Sequence, residues 1–536
     1  MPALAEARNV EERSARPLRH LSAVRAAALR SAPGQAAGLN VLTCGSVDDG
    51  KSTLIGRLLW DADALPHDQR QALLRSAPTA AGTPDFSLVV DGLVAEREQG
   101  ITIDVAWRYF DTGARRLVII DSPGHEQYTR NMATGASHAD VAILLVDARS
   151  GVKLQTRRHA AILDLMGVAR VVLAVNKMDL VDWSQARFRA IEAEFLALAE
   201  RLQFPDAVAI PVSAALGDNV ARRSASMPWY DGPSVLDHLQ RLPGREANAD
   251  GAFRFPVQMI VRAGQDFRGL AGTVASGTIE PGSAVLDAGS GRRARVRRIL
   301  TMDGDLQGAS AGQAVVLQLD TDIDVARGAV LASPDAAPPL VRALDARLVW
   351  LADEPFSAGR GYLLRTATDL VPVASVGISA HLDLATLRGR PAATCAANDI
   401  VSARIELGRS AAVDAFGDLR QTGSFLLIDA ITGATVAGGV VTAARGQDGK
   451  PAPAAFRLTR SLVRQGVGAD LGDDAASEQE LRRRAEEVAI LLRGAGVAVE
   501  MEERREVARV DPAAVGLGLL AALSFGYAAA IVLGVV

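Results

Sequence analysis

Cysteine is nearly absent. The 536 residues contain two, Cys44 and Cys395, too few for a disulfide framework or a four-thiolate metal site. That scarcity fits a reducing, cytoplasmic setting. Charge of one sign is not in excess either: 58 Lys plus Arg face 62 Asp plus Glu, a formal net charge of -4. Such a balance excludes a chain whose main task is coating nucleic acid or anionic lipid. No solenoid-type repeat is present. The first 38 residues lack the apolar core of a signal peptide, and arginine recurs as far as Arg30. What the chain has in quantity is apolar residues, 49% of the total, enough for several cores and incompatible with wholesale disorder. At ~150 residues per domain the length predicts three or four domains. One stretch departs from the average: residues 513–536 carry no charge at all.

The chain changes character along its length. Residues 1–38 read as a flexible leader in which Leu18, Leu21, Val24 and Leu29 fall roughly on one helical face. From 39 to 245, short β-type runs alternate with longer helical stretches. This predicts a doubly wound, mostly parallel α/β sheet with its functional loops at the carboxyl ends of the strands. Past Gly251 the pattern becomes Gly- and Pro-punctuated short strands, which predicts two all-β barrel domains, 251–338 and 340–442, divided by a Pro-rich joint. Arg293, Arg295 and Arg297 alternate along one of these strands and share a face, either solvated or turned to a partner.

Four motifs carry the chemistry. Gly45-Ser46-Val47-Asp48-Asp49-Gly50-Lys51-Ser52, followed by Thr53, is a P-loop between an apolar strand and a helix. Its glycines let successive N–H groups face a β-phosphate, and the helix N-terminus adds partial positive charge. Lys51 is expected to reach the β- and γ-phosphates, and the Ser52 hydroxyl to bind Mg²⁺. Asp121-Ser122-Pro123-Gly124 ends another apolar run. There Asp121 can hold the magnesium through a water and the Gly124 amide can donate to a γ-phosphate. His125 follows, a side chain able to orient an attacking water at neutral pH.

Asn176-Lys177-Met178-Asp179 closes a third strand. Asp179 can accept from two guanine N–H groups, which adenine cannot supply, so the wrong base leaves the carboxylate unpaired. Asn176 would tie this loop to the P-loop, and the Lys177 stem would cover a ring face. Ser213-Ala214-Ala215 would supply a backbone donor for the guanine oxygen. Together, and in this order, the motifs specify GTP. Between Lys51 and Asp121, the segment Glu96–Ile103 holds Thr102, the candidate second Mg²⁺ ligand in a stretch ordered by a γ-phosphate.

With the two all-β modules, these motifs resemble a translational-type GTPase. They are most similar to the GTPase subunit of bacterial sulfate adenylyltransferase, the CysN type. The segments that carry the likeness are Cys44–Leu59, Asp91–Ala106, Asp121–Met132, Asp266–Gly269 and Thr422–Phe425. The resemblance implies that GTP hydrolysis on this chain drives formation of adenosine 5′-phosphosulfate from ATP and sulfate by a separate small catalytic subunit of the CysD type. It also implies an apolar gate of Val47 and Ile101 beside a water-orienting His125. An elongation-factor-type GTPase carrying tRNA is the alternative, and Asp49 counts against it because elongation factors usually have His there. Stretches within 450–510 resemble part of adenylylsulfate kinase. No second P-loop precedes them, so a degenerate remnant without kinase activity is expected. As a helix, residues 513–536 would extend ~36 Å, enough to cross a ~30 Å hydrocarbon core. A C-terminal membrane anchor and a segment packed on the preceding remnant both remain open.

Overall fold

The computed structural model describes residues 36–75, 83–90, 102, 104–244, 248–263, 267–444, 456–458, 464, 475–494 and 499–501. The chain divides into two compact units, Met1–Gly446 and Gln447–Val536.

The first unit opens with a six-stranded sheet. Its strands are β1 (Ala36–Gly45), β2 (Ala106–Asp111), β3 (Arg115–Asp121), β4 (Val141–Asp147), β5 (Arg170–Asn176) and β6 (Asp206–Pro211), in the order β2-β3-β1-β4-β5-β6. All pairings are parallel except β2 with β3. The central strand β4, Val-Ala-Ile-Leu-Leu-Val-Asp, is buried at every residue, as expected where helices cover both faces of a parallel sheet. Those helices are α1 (Lys51–Asp61), α2 (His67–Arg75), α3 (Thr129–His138), α4 (Leu154–Leu165), α5 (Gln185–Arg201) and α6 (Val235–Arg241). The logic of α5 is readable residue by residue. The Ser184 hydroxyl accepts from Arg187 N–H and caps the helix start, while Phe188, Ile191, Phe195 and Leu198 recur on the face that packs on the sheet. Each of the two buried phenylalanines contributes about 2–3 kcal/mol by leaving water.

Two barrels follow. The first runs from Arg254 to Ala332 and the second from Leu340 to Ala444, and in each six strands close into a ring. Closure removes the exposed sheet edges that would otherwise template aggregation. A buried ion pair joins the barrels. Arg254 donates through Nε and Nη2 to the two oxygens of Asp414 at 3.2 and 3.0 Å, and the Thr422 hydroxyl donates to the same carboxylate at 2.6 Å. Thr422 lies in one of the segments that carried the family likeness, and fixing this carboxylate is its role in the fold.

Barrel and sheet domains also meet directly. Arg347 of the second barrel pairs with Asp164 of α4 at 2.9 Å. Asn398 donates to the Glu126 carbonyl at 3.2 Å, and Arg130 of α3 donates to the Leu351 carbonyl at 3.1 Å.

In the second unit, the three-residue strands Phe456–Leu458 and Val499–Met501 pair in parallel, with helix α7 (Ala475–Gly494) between them in sequence. The described part of this unit is an α/β arrangement. Most of the kinase-like stretches 462–472 and 494–497, the leader helix and the charge-free tail 513–536 lie outside the described residues. Among the described residues no helix is long and apolar enough to cross a membrane.

Replacing Asp414 with Ala strands the Arg254 guanidinium in a dry interface. The expected outcome is a loss of about 3 kcal/mol, measured as a lowered urea midpoint for the barrels.

Candidate functional site

The site forms where strands β1, β3, β4 and β5 end together. Register places it: Thr43 of β1 lies opposite Asp121 of β3, Gly45 opposite Leu145 of β4, and Asp147 of β4 opposite Asn176 of β5. The Thr43 hydroxyl donates to Asp121 at 3.0 Å, and the Ser122 hydroxyl donates to the Thr43 carbonyl at 2.7 Å. The carboxylate expected near a metal is thus held beside the phosphate loop.

The loop needs its glycines. Gly50 caps α1 in the left-handed region at φ 94°, and a Cβ there would lie 2.3 Å from Asn176 Nδ2. A Cβ on Gly124 would lie 2.4 Å from Lys51 Nζ, so the glycine of the Asp121–Gly124 motif passes directly against the P-loop lysine. Lys51 itself is buried and donates to the carbonyls of Gly45 and Ser46 at 3.1 and 2.9 Å. Burial pushes its ammonium below the usual range, against the opposing pull of Asp121 and Asp49. The Ser46 hydroxyl is buried without a hydrogen-bond partner. A buried cation bonded only to loop carbonyls, a polar atom left unsatisfied and a backbone cradle closed to any Cβ together fit a phosphate ligand.

The Asn-Lys-Met-Asp loop is tied to the P-loop by two side chains. Asn176 donates through Nδ2 to the Asp49 carbonyl at 2.8 Å, and its Oδ1 accepts from Ala214 N–H at 2.9 Å. Lys177, in the left-handed region at φ 62°, donates to the Asp48 carbonyl and pairs with Asp147 at 3.2 Å. Asp179, in the same loop, is half-buried, and Ser213 is fully buried. P-loop, Asn-Lys-Met-Asp loop and Ser-Ala-Ala loop therefore form one connected assembly.

The switch residues are less complete. His125 is exposed; its Nδ1 accepts from Gln127 N–H at 3.3 Å and its ring lies 6.1 Å from that of Tyr128. Thr102 is half-buried, while 91–101 and Ile103, hence the Ile101 half of the expected gate, lie outside the described residues. Ser52 and Thr53 stand half-buried in the first turn of α1. No cluster of three or more metal-ligating His, Cys, Asp or Glu occurs among the described residues, and a magnesium site of hydroxyls and one carboxylate would not form such a cluster.

Several participants went unnoticed in the sequence. Asp147 is buried and bonded to both Arg149 and Lys177. Burial alone would raise its carboxyl, but the hydrogen bonds from Arg149 and Lys177 outweigh that and hold it well below the carboxylate range. Lys153, just before α4, pairs with Asp49 at 3.0 Å. His159 of α4 is fully buried, 2.9 Å from Gln155, and burial together with the Lys51 and Arg158 charges pushes it down to about 3. The available signal was position: Asp147 ends a predicted strand, where functional loops of such sheets gather.

A P-loop sheet with an Asn-Lys-Met-Asp loop joined to it, followed by two closed barrels, defines a GTPase of the elongation-factor type. The family model of the elongation factor Tu GTP binding domain matches residues 37–288, and that of the GTP-eEF1A C-terminal domain-like family matches residues 343–442. The chain is 49% identical over 406 residues to sulfate adenylyltransferase subunit 1 of Methylorubrum populi, covering 75% of this chain and 86% of that protein. Against the same subunit of Rhizobium meliloti it is 46% identical over 467 residues, covering 86% and 92%. It is also 48% identical to the bifunctional enzyme NodQ of Rhizobium sp. (strain N33), but spans only 63% of that protein's length. The chain belongs to the sulfate adenylyltransferase subunit 1 family.

The buried His159 predicts a pH dependence. Its folded pKa lies below the unfolded value of about 6.5, so its neutral form adds stability above pH 6.5 that is lost as pH falls towards 3. Between pH 6 and 4 the wild type should lose up to about 1.4 kcal/mol per pH unit more than His159→Leu, read from urea unfolding of the sheet domain.

Proposed function

We propose that this chain is the GTP-hydrolysing subunit of a sulfate adenylyltransferase. In this reading it couples GTP hydrolysis to formation of adenosine 5′-phosphosulfate from ATP and sulfate by a small catalytic partner of the CysD type. The observation that supports it most is the Asn176 bridge, which joins a guanine-reading loop to a phosphate loop in a chain of this family.

Each residue has a role in the proposal. The backbone from Gly45 to Lys51 holds the phosphates, and Lys51 exchanges its loop carbonyls for phosphate oxygens. The hydroxyls of Ser52 and Thr102, with Asp121 through a water, would hold magnesium, which supplies positive charge against the phosphates when bound. The Gly124 amide senses the γ-phosphate, and His125, exposed at the turn, orients the attacking water. Asp179 selects guanine. The partner contact must differ between the GTP and GDP states for the coupling to run. Action on soluble metabolites needs no membrane, and a cytoplasmic complex is proposed. The segment 450–510 is proposed to lack kinase activity.

Two measurements test this. With a purified catalytic subunit and this chain, adenylylsulfate formation should depend on GTP; formation independent of GTP rejects the coupling. GTP-dependent binding of aminoacylated tRNA would instead favour an elongation-type carrier. Separately, Asp179→Asn should weaken GTP at least about tenfold and favour xanthosine triphosphate, read by competition with a fluorescent nucleotide; unchanged GTP affinity rejects Asp179 as the base reader.

A further inference from the structure

Asp49 is an ill-suited residue for a loop that receives a polyanion. Its side chain is 1% exposed, and one carboxylate oxygen accepts from Ser46 N–H at 2.8 Å, within the phosphate loop itself. Left uncompensated, a buried carboxylate there would repel phosphate and carry an unpaid desolvation penalty. Lys51 acts on this carboxylate only through space, and its direct ionic partner comes from outside the loop: Lys153 Nζ lies 3.0 Å from the other carboxylate oxygen.

Lys153 in turn occupies a position that local physics disfavours for lysine. It is the residue that precedes α4, where Ser, Thr, Asp or Asn would cap the helix and where the helix dipole repels a cation. Its side chain makes no cap, although Thr156 Oγ1 accepts from its backbone N–H at 3.1 Å. A carboxylate misplaced in one element and a cation misplaced in another meet each other, and each explains the other.

We propose that Lys153 is a positioning residue for the nucleotide. It neutralises Asp49 and keeps that carboxylate on the Ser46 amide, so that the loop offers a nucleoside di- or triphosphate a fixed backbone and no buried negative charge. The proposal rests on the guanine-nucleotide reading of the site. It also makes the need for Lys153 conditional. Asp49→Asn keeps an oxygen for Ser46 N–H but removes the charge, and with it the need for a cation at 153.

The test is a double-mutant cycle on the full chain, with affinity for a fluorescent GDP measured by titration and GTP turnover measured at saturation. K153M and K153Q should each weaken GDP about tenfold while saturated turnover stays unchanged. In the D49N background, K153M should change the affinity by less than about twofold. Equal losses in both backgrounds would mean that Lys153 meets the nucleotide directly or acts elsewhere, and would overturn the proposal. So would unchanged affinity in K153M and K153Q when the wild type binds. A wild type that binds no guanine nucleotide overturns the guanine-site reading and this inference with it.

Discussion

The side chain of Asn176 is the joint on which the site depends. It is 2% exposed and spends both halves of its amide on backbone, donating to the P-loop at Asp49 and accepting from Ala214. A hydrogen bond of this kind is worth only about 1 kcal/mol net, but either partner left alone in so dry a place would cost more. The geometric effect is larger than the energetic one. Three loops from three strand ends are fixed relative to each other, so in the proposed function the distance between phosphate and base is set before a ligand arrives. Gly50 belongs to the same joint, since any side chain there would occupy the space of the Asn176 amide.

Around this joint lies a ring of charge arranged in layers. Lys51 is enclosed by Asp121 and Asp49; Asp49 is answered by Lys153, and Asp147 by Arg149 and Lys177. Asp49 and Asp147 each have a counter-ion within hydrogen-bond reach, and Lys51 is held by loop carbonyls with carboxylates acting on it through space, the conditions under which charge is tolerated away from water. The mismatch between local preference and location at Asp49 and Lys153 is confined to the functional end of the sheet. The opposite end and the barrels follow ordinary patterning, with alternating burial along strands such as Arg293–Thr301.

Much of this was legible in the sequence, for a physical reason. The P-loop, Asp121–Gly124 and Asn176–Asp179 are local: their chemistry is complete within a few consecutive residues at a strand end, so residue type and order suffice. The alternation of strands and helices, and its replacement by Gly-punctuated strands past Gly251, marked the sheet and the barrels for the same reason. Asp147, Lys153 and His159 were not legible, because register and packing give them their meaning. Lys153 meets Asp49 across 104 residues, and Arg254 meets Asp414 across 160. No periodicity encodes such pairs; they appear only once β4 lies beside β1 and one barrel lies against the other.

The contacts between the turn after His125 and the second barrel have a further consequence. Asn398 grips the carbonyl of Glu126, and Arg130 grips the carbonyl of Leu351. In both cases the accepting atom belongs to the main chain, so the identity of the side chain at 126 or 351 is irrelevant to the grip. What the barrel registers is the path of the backbone. The Glu126 carboxylate has a separate task, pairing with Arg158 at 2.8 Å, so a change of side chain there would cost that ion pair and spare this connection, whereas a shift of the turn by a single residue would be felt at once.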